Sequence, residues 1–263
     1  MEFLTVALIV AGFVPLALAF WNERATSLSH ALLWTMLTWT AWGAVFLWES
    51  IEQTRTDTGR YIALCLVGCA GIAVLGARRP HVAAWDFVVL GLLSVMLLPL
   101  VEAALVGTES LGGLRVIFMT GAIAVGILNY LPTRQAVTAI WLFAACSAEI
   151  ALVHGWVPSE MNVLAMDLPL AFTPWLAWLS VALRPSAESE FDSVWLDFRD
   201  RWGFVWSQRV HEQFNNAAHH AGWPIVLTWF GLMHENDDRP LNDPVYVDTL
   251  RKALQRFVED GDE

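Results

Sequence analysis

Four carboxylates and one imidazole interrupt or close the long apolar runs of this chain: Glu49, Glu102, Glu149, Asp167 and His154. An ionisable group at membrane depth costs about 2.5–3.5 kcal/mol on insertion scales, so each is a candidate for function. Clustered carboxylates raise one another's pKa, and hard cations take oxygen ligands. The chemistry on offer is therefore proton relay or cation binding. Glu102 and Glu149 have apolar flanks on both sides and carry this expectation most directly. Glu49 and Asp167 fall near predicted segment boundaries, where a carboxylate can simply reach water. The candidate substrate or ion residues are Glu102, Glu149, Asp167 and His154.

Other chemistries find little support in the residues. There is no Gly-x-Ser-x-Gly elbow and no buried Ser–His pair. The stretch "HEQFN" has Asn215 where a zinc protease needs its second histidine. No lysine precedes Lys252, which excludes a retinal Schiff base in the last span. Too few histidines lie at membrane depth for a ceramidase-type zinc hydrolase. His30 and His81 fall at similar depth near Asp86, but at a boundary, whereas haem ligation needs histidines facing one another across a bundle. His211, Asn215 and His219 share a helical column, yet residues eight apart lie ~12 Å apart along the axis, too far to share one metal. Cys65, Cys69 and Cys146 read as small apolar packing residues. No catalytic residue, metal or cofactor is predicted, and an enzyme is the least favoured class.

The elements that carry these residues are apolar and long. The 263 residues are 56% hydrophobic and only 16% charged, with a mean hydropathy of +0.49. Soluble domains carry about 25% charge. A helix crossing ~30 Å of hydrocarbon needs roughly 20 apolar residues. Seven runs approach that length: Phe3–Trp21, Ala31–Trp48, Tyr61–Ala77, Val82–Leu105, Leu114–Leu131, Val137–Val153 and Leu164–Leu183. The last is the weakest, and discounting it leaves six. The expected fold is an all-α membrane protein of about seven transmembrane helices, residues 1–185. A small, mainly helical, acidic cytoplasmic tail follows, residues 186–263. Pro169 and Pro174 are expected to bend the seventh helix against its neighbours.

A shift of 53 residues lays Glu49 on Glu102, Gly59 on Gly112 and Gly68 on Gly121, and Pro132 stands 52 and 53 residues from Pro80 and Pro185. This suggests one lone helix followed by three helical hairpins, although any alternating bundle has a period of this order. Ala17-Leu18-Ala19 imitates a cleavage site, but Met1-Glu2 lacks the positive start of a signal peptide. The first helix is therefore expected to stay, with its N-terminus outside. That orientation places Arg24, Arg78, Arg79, Arg134, Arg184, Arg199 and Arg201 inside, against Arg55, Arg60 and Arg115 outside. The predicted location is a bacterial-type inner membrane.

The tail from residue 185 carries 7 basic and 15 acidic side chains, a balance that repels nucleic acid and anionic lipid. Phe191, Trp195, Phe198, Trp202 and Val205 follow helical spacing, and the stripe continues through Trp206, Val210, Phe214 and Ala217. A continuous amphipathic helix over 188–221 is predicted, ~50 Å long, with Asp192 and Asp200 on its wet face. Rings this large need cover. The interaction face of Phe191, Trp195, Phe198, Trp202 and Trp206 is expected to dock on the bundle ends, or else on a second copy or a membrane-protein partner. The segment "GWPIVLTWFGL" reads as a strand or a short buried piece. Asp243-Pro244 opens a last helix, whose inner face is Val247, Leu250, Leu254 and Phe257. The lipid bilayer is the first expected partner. A structural or interaction component is the leading functional expectation, and an ion-coupled carrier the alternative.

Overall fold

A computed structural model describes residues 2–77, 82–106, 113–157, 163–183, 187, 189–234 and 243–257. Helices α1 (Glu2–Glu23), α2 (Leu28–Glu52), α3 (Asp57–Leu75), α4 (Val82–Val106), α5 (Gly113–Tyr130), α6 (Ala136–Val153) and α7 (Val163–Ala182) run back and forth as a bundle. Five of these segments are long and apolar enough to cross a bilayer: Leu4–Glu23, Leu28–Glu52, Asp57–Leu75, Ala84–Leu105 and Ala136–Val153. In lipid a backbone must satisfy its polar groups internally, which is why such runs resolve as helices. Val14, Leu37, Leu47, Phe87, Leu98 and Ile140 lie exposed around the outside. A bilayer accounts for that belt, whereas water does not.

Helix α3 is the centre. In its most apolar stretch 61% of residues are buried, against 17–39% in the other four segments. Glycine makes this possible: a methyl group on Gly71 or Gly126 would lie 2.9 or 2.7 Å from the other's Cα, so α3 and α5 meet backbone to backbone. Trp39 Nε1 donates to the Ile9 carbonyl at 2.8 Å and fixes α2 on α1. Pro169 and Pro174 sit inside α7 without ending it. Trp141 of α6 donates to the Pro169 carbonyl at 2.6 Å.

The positions paired by the 53-residue shift have unlike surroundings. A methyl on Gly68 would meet Ala122 at 3.2 Å, while one on Gly121 would meet nothing within 4 Å. Gly112, Pro80 and Pro185 lie outside the described residues.

The tail departs most from expectation. Helix α8 (Glu190–His220) is not a rod, because Gly203, at φ 75° and ψ −169°, breaks it. The rings of Phe191 and Phe214 stand 5.1 Å apart, whereas 23 residues of straight helix would separate them by ~34 Å. The two arms, 190–202 and 204–220, therefore fold back on one another. The aromatic stripe lines the inside of this turn and is buried from Phe191 to Ala218. Ala218 rather than Ala217 closes it.

The "GWPIVLTWFGL" segment forms an antiparallel hairpin, β1 (Ile225–Thr228) with β2 (Gly231–His234), in the register Ile225 to His234 and Thr228 to Gly231. Asn215 holds it by accepting from Leu227 N at 2.7 Å and donating to Leu227 O at 3.0 Å. Helix α9 (Pro244–Leu254) starts as its sequence predicts, with Asp243 accepting from Val245 N at 3.0 Å. Phe257, just beyond it, packs its ring on Phe198, Trp202 and Trp206, with centroids 4.9, 5.8 and 5.5 Å away.

The stripe is thus covered mostly by the tail itself, and the seam between tail and bundle is largely hydrogen-bonded. Asn129, at the end of α5, bridges the broken turn: Val205 N donates to its Oδ1 at 3.0 Å and its Nδ2 donates to Trp202 O at 3.3 Å. Tyr130 donates to Arg201 O, Trp206 to Val74 O and Trp229 to Pro132 O, at 3.0, 3.1 and 2.6 Å. Arg201 pairs with Glu23 of α1 and with Asp197. Asp200, predicted to be wet, is 4% exposed. It accepts from Arg199 at 2.8 Å and from the Arg134 backbone at 3.2 Å. Asp192 accepts from Leu232 N at 2.9 Å and pins the hairpin to α8.

Candidate functional site

The end of the bundle away from the tail holds a charged cluster built on the central helix. Helix α2 ends at Gln53, whose left-handed φ of 54° turns the chain. Thr56 then opens α3, and its N–H is taken by Glu49 Oε1 at 2.8 Å. Arg60 follows in the first turn of α3 and is 0% exposed. Its side chain reaches three other helices at once.

All five guanidinium N–H donors are used. Nε and Nη2 donate to Glu49 of α2 at 3.0 and 2.6 Å. Nη1 and Nη2 donate to Asp167 of α7 at 2.7 and 3.1 Å. Nη1 also donates to Glu149 of α6, at 2.7 Å. Two faces of the planar fork therefore make bidentate pairs, a geometry that a lysine cannot reproduce. The Phe46 ring lies 5.3 Å from the guanidinium carbon, near enough for a cation–π contribution.

Five donors meet five of the six carboxylate oxygens. The sixth, Glu149 Oε1, is buried without a hydrogen-bond partner. Glu149 is 0% and Asp167 7% exposed, and the Glu49 side chain is 13% exposed. Three ionised carboxylates around one guanidinium would leave two negative charges in a low-dielectric interior, which is costly. The arrangement can lower that charge by taking up a proton.

The sequence-predicted residues divide here. Glu149 and Asp167 come together on Arg60, and Glu49, read as a boundary carboxylate, joins them. Glu102 is half-buried on α4 and is not among the carboxylates that Arg60 engages. His154 caps α6 and stacks on Trp156, with centroids 5.3 Å apart. Its Nε2 is buried without a partner, burial lowers its pKa, and it is not among the groups that act on Arg60. His30 and Asp86 do meet, at 2.5 Å, with Trp34 donating to the same carboxylate at 3.1 Å. His81 lies outside the described residues. The three cysteines are free and buried.

Arg60 is the residue the sequence reading missed. Counted as a loop charge before an apolar run starting at Tyr61, it instead lies inside α3. A signal was available: Asp57 is an acidic first-turn residue, and a helix begun there carries Arg60 into the bundle. The rings of Phe191, Trp195, Phe198, Trp202 and Trp206 are at most 5% exposed within the single chain. No known protein family, characterised protein or solved structure matches this chain.

Proposed function

We propose that this chain is a multi-pass, ion-coupled membrane carrier whose coupling site is the Arg60 cluster. In this reading seven helices span the bilayer and the tail is a fixed cap on the inner face. The observation that carries it is the buried excess of carboxylate over guanidinium, contributed by four helices and centred on the most buried one. Ionisable groups at membrane depth mark ion pathways, proton relays, voltage sensors or counter-ions. The arginine distribution supports an inward tail.

A structural or interaction component is the second reading, favoured by the complete use of the five Arg60 donors, which ties α2, α6 and α7 to α3. Purified protein in vesicles loaded with a pH-sensitive dye separates the two. Under an imposed potential and proton gradient, the carrier takes up protons faster than protein-free vesicles. Glu149→Gln abolishes that uptake, and Glu52→Gln, at an exposed position, keeps it. Equal uptake with and without protein overturns the carrier and leaves the structural reading.

A further inference from the structure

We infer that Glu149 carries a proton at neutral pH, shared toward Asp167, and that this buried acid is the ion-binding group of the cluster. The inference deepens the carrier reading by naming its ion, and it rests on geometry that stands without that reading.

Arginine stays protonated, so the charge of the cluster is set by its carboxylates. The groups facing Glu149 are Arg60 from α3 and Asp167 from α7, with Glu49 of α2 on the far side of the guanidinium and Cys146 on its own helix. Glu49 and Asp167 each hold two guanidinium bonds, one to either oxygen, as ionised carboxylates do. Glu149 holds one, through Oε2. Its Oε1 has no donor to accept from, which is unfavourable for a buried anion and natural for the hydroxyl of an acid. The hydroxyl needs an acceptor, and the carboxylate beside it is Asp167, whose Oδ1 shares a guanidinium nitrogen with Glu149 Oε2. Oxygens of both residues stand 2.7 Å from the same guanidinium nitrogen, Nη1. Two carboxyls this close resist double ionisation and share one proton. The residual charge is then −1, spread over Glu49 and Asp167, the two residues of the cluster with slight exposure.

Infrared spectroscopy of the full chain in lipid nanodiscs tests this directly. At neutral pH the spectrum should contain the C=O stretch of one protonated carboxyl that shifts in heavy water. The band should vanish in Glu149→Gln, persist in Glu52→Gln and move when glutamate alone is labelled with carbon-13. The labelling needs no variant, so it decides the assignment even where Glu149→Gln fails to fold. Absence of such a band overturns the inference. So does a band that ignores glutamate labelling or follows Asp167→Asn instead. A present band in protein that moves no protons leaves the site standing and sinks the carrier. Transport without the band does the reverse.

Discussion

Gly203→Ala gives the sharpest test of the tail, because two descriptions of α8 predict opposite signs. In an unbroken helix, replacing glycine with alanine stabilises by about 0.5–1 kcal/mol. At φ 75° and ψ −169°, a region nearly restricted to glycine, any side chain costs about 1–3 kcal/mol of backbone strain. A Cβ there would also lie 2.2 Å from Asn129 Nδ2 and 2.7 Å from its backbone oxygen. Moving the amide aside forfeits its bonds to Val205 N and Trp202 O, at about 1 kcal/mol each. The expected net loss is about 3–5 kcal/mol. Equilibrium unfolding of the full chain in detergent, followed by tryptophan fluorescence, would report it. Asn129→Ala should cost about 2 kcal/mol alone, and the double variant less than the sum, because the amide clash is gone. A Gly203→Ala protein as stable as the parent, or more so, refutes the folded-back α8.

Three further outcomes follow from burial and from topology. Trp195→Ala, at a position 0% exposed, should cost about 3–5 kcal/mol. Asp200→Ala should exceed the ~0.5 kcal/mol of a surface change, because it leaves Arg199 and Arg134 without their partner; both are read by the same unfolding curves. A cysteine at the exposed Thr54 should label from outside in intact cells and one at the exposed Asn216 should not. Labelling of Asn216→Cys from outside would invert the orientation in the membrane.

The apolar helices were legible because lipid imposes a local rule: every spanning backbone must close its own hydrogen bonds. The expected Val137–Val153 and Val82–Leu105 differ from α6 and α4 by a residue at an end. The start of α9 was legible for a similar reason, since Asp243 caps within two residues of itself. Gly203 was not. A stripe that faces one core keeps helical spacing on both sides of a reversal, so periodicity cannot register the turn. The cluster was half legible. Apolar flanks single out Glu149 and Glu102 alike, and nothing local distinguishes the one that meets Arg60, 89 residues away. Asp192 and Asp200 were misread because polar residues on an amphipathic helix look solvated until a hairpin or a loop arrives to bond them.

The hydrogen bonds of Ser27 have a consequence for biosynthesis. Its N–H and hydroxyl both reach the Phe257 carbonyl, at 3.0 and 3.3 Å, across 230 residues of chain. At ribosomal rates of about 5–20 residues per second, those groups wait roughly 10–45 s for their partner. Until then Ser27 has only its hydroxyl bond to the Ala77 carbonyl, and the rings of Phe198, Trp202 and Trp206 lack the Phe257 ring against which they pack. A product truncated before Phe257 therefore carries these three rings without that cover. Transiently exposed hydrophobic surface is aggregation-prone, so the turn Gln255–Phe257 closes over rings that an earlier stop would leave bare.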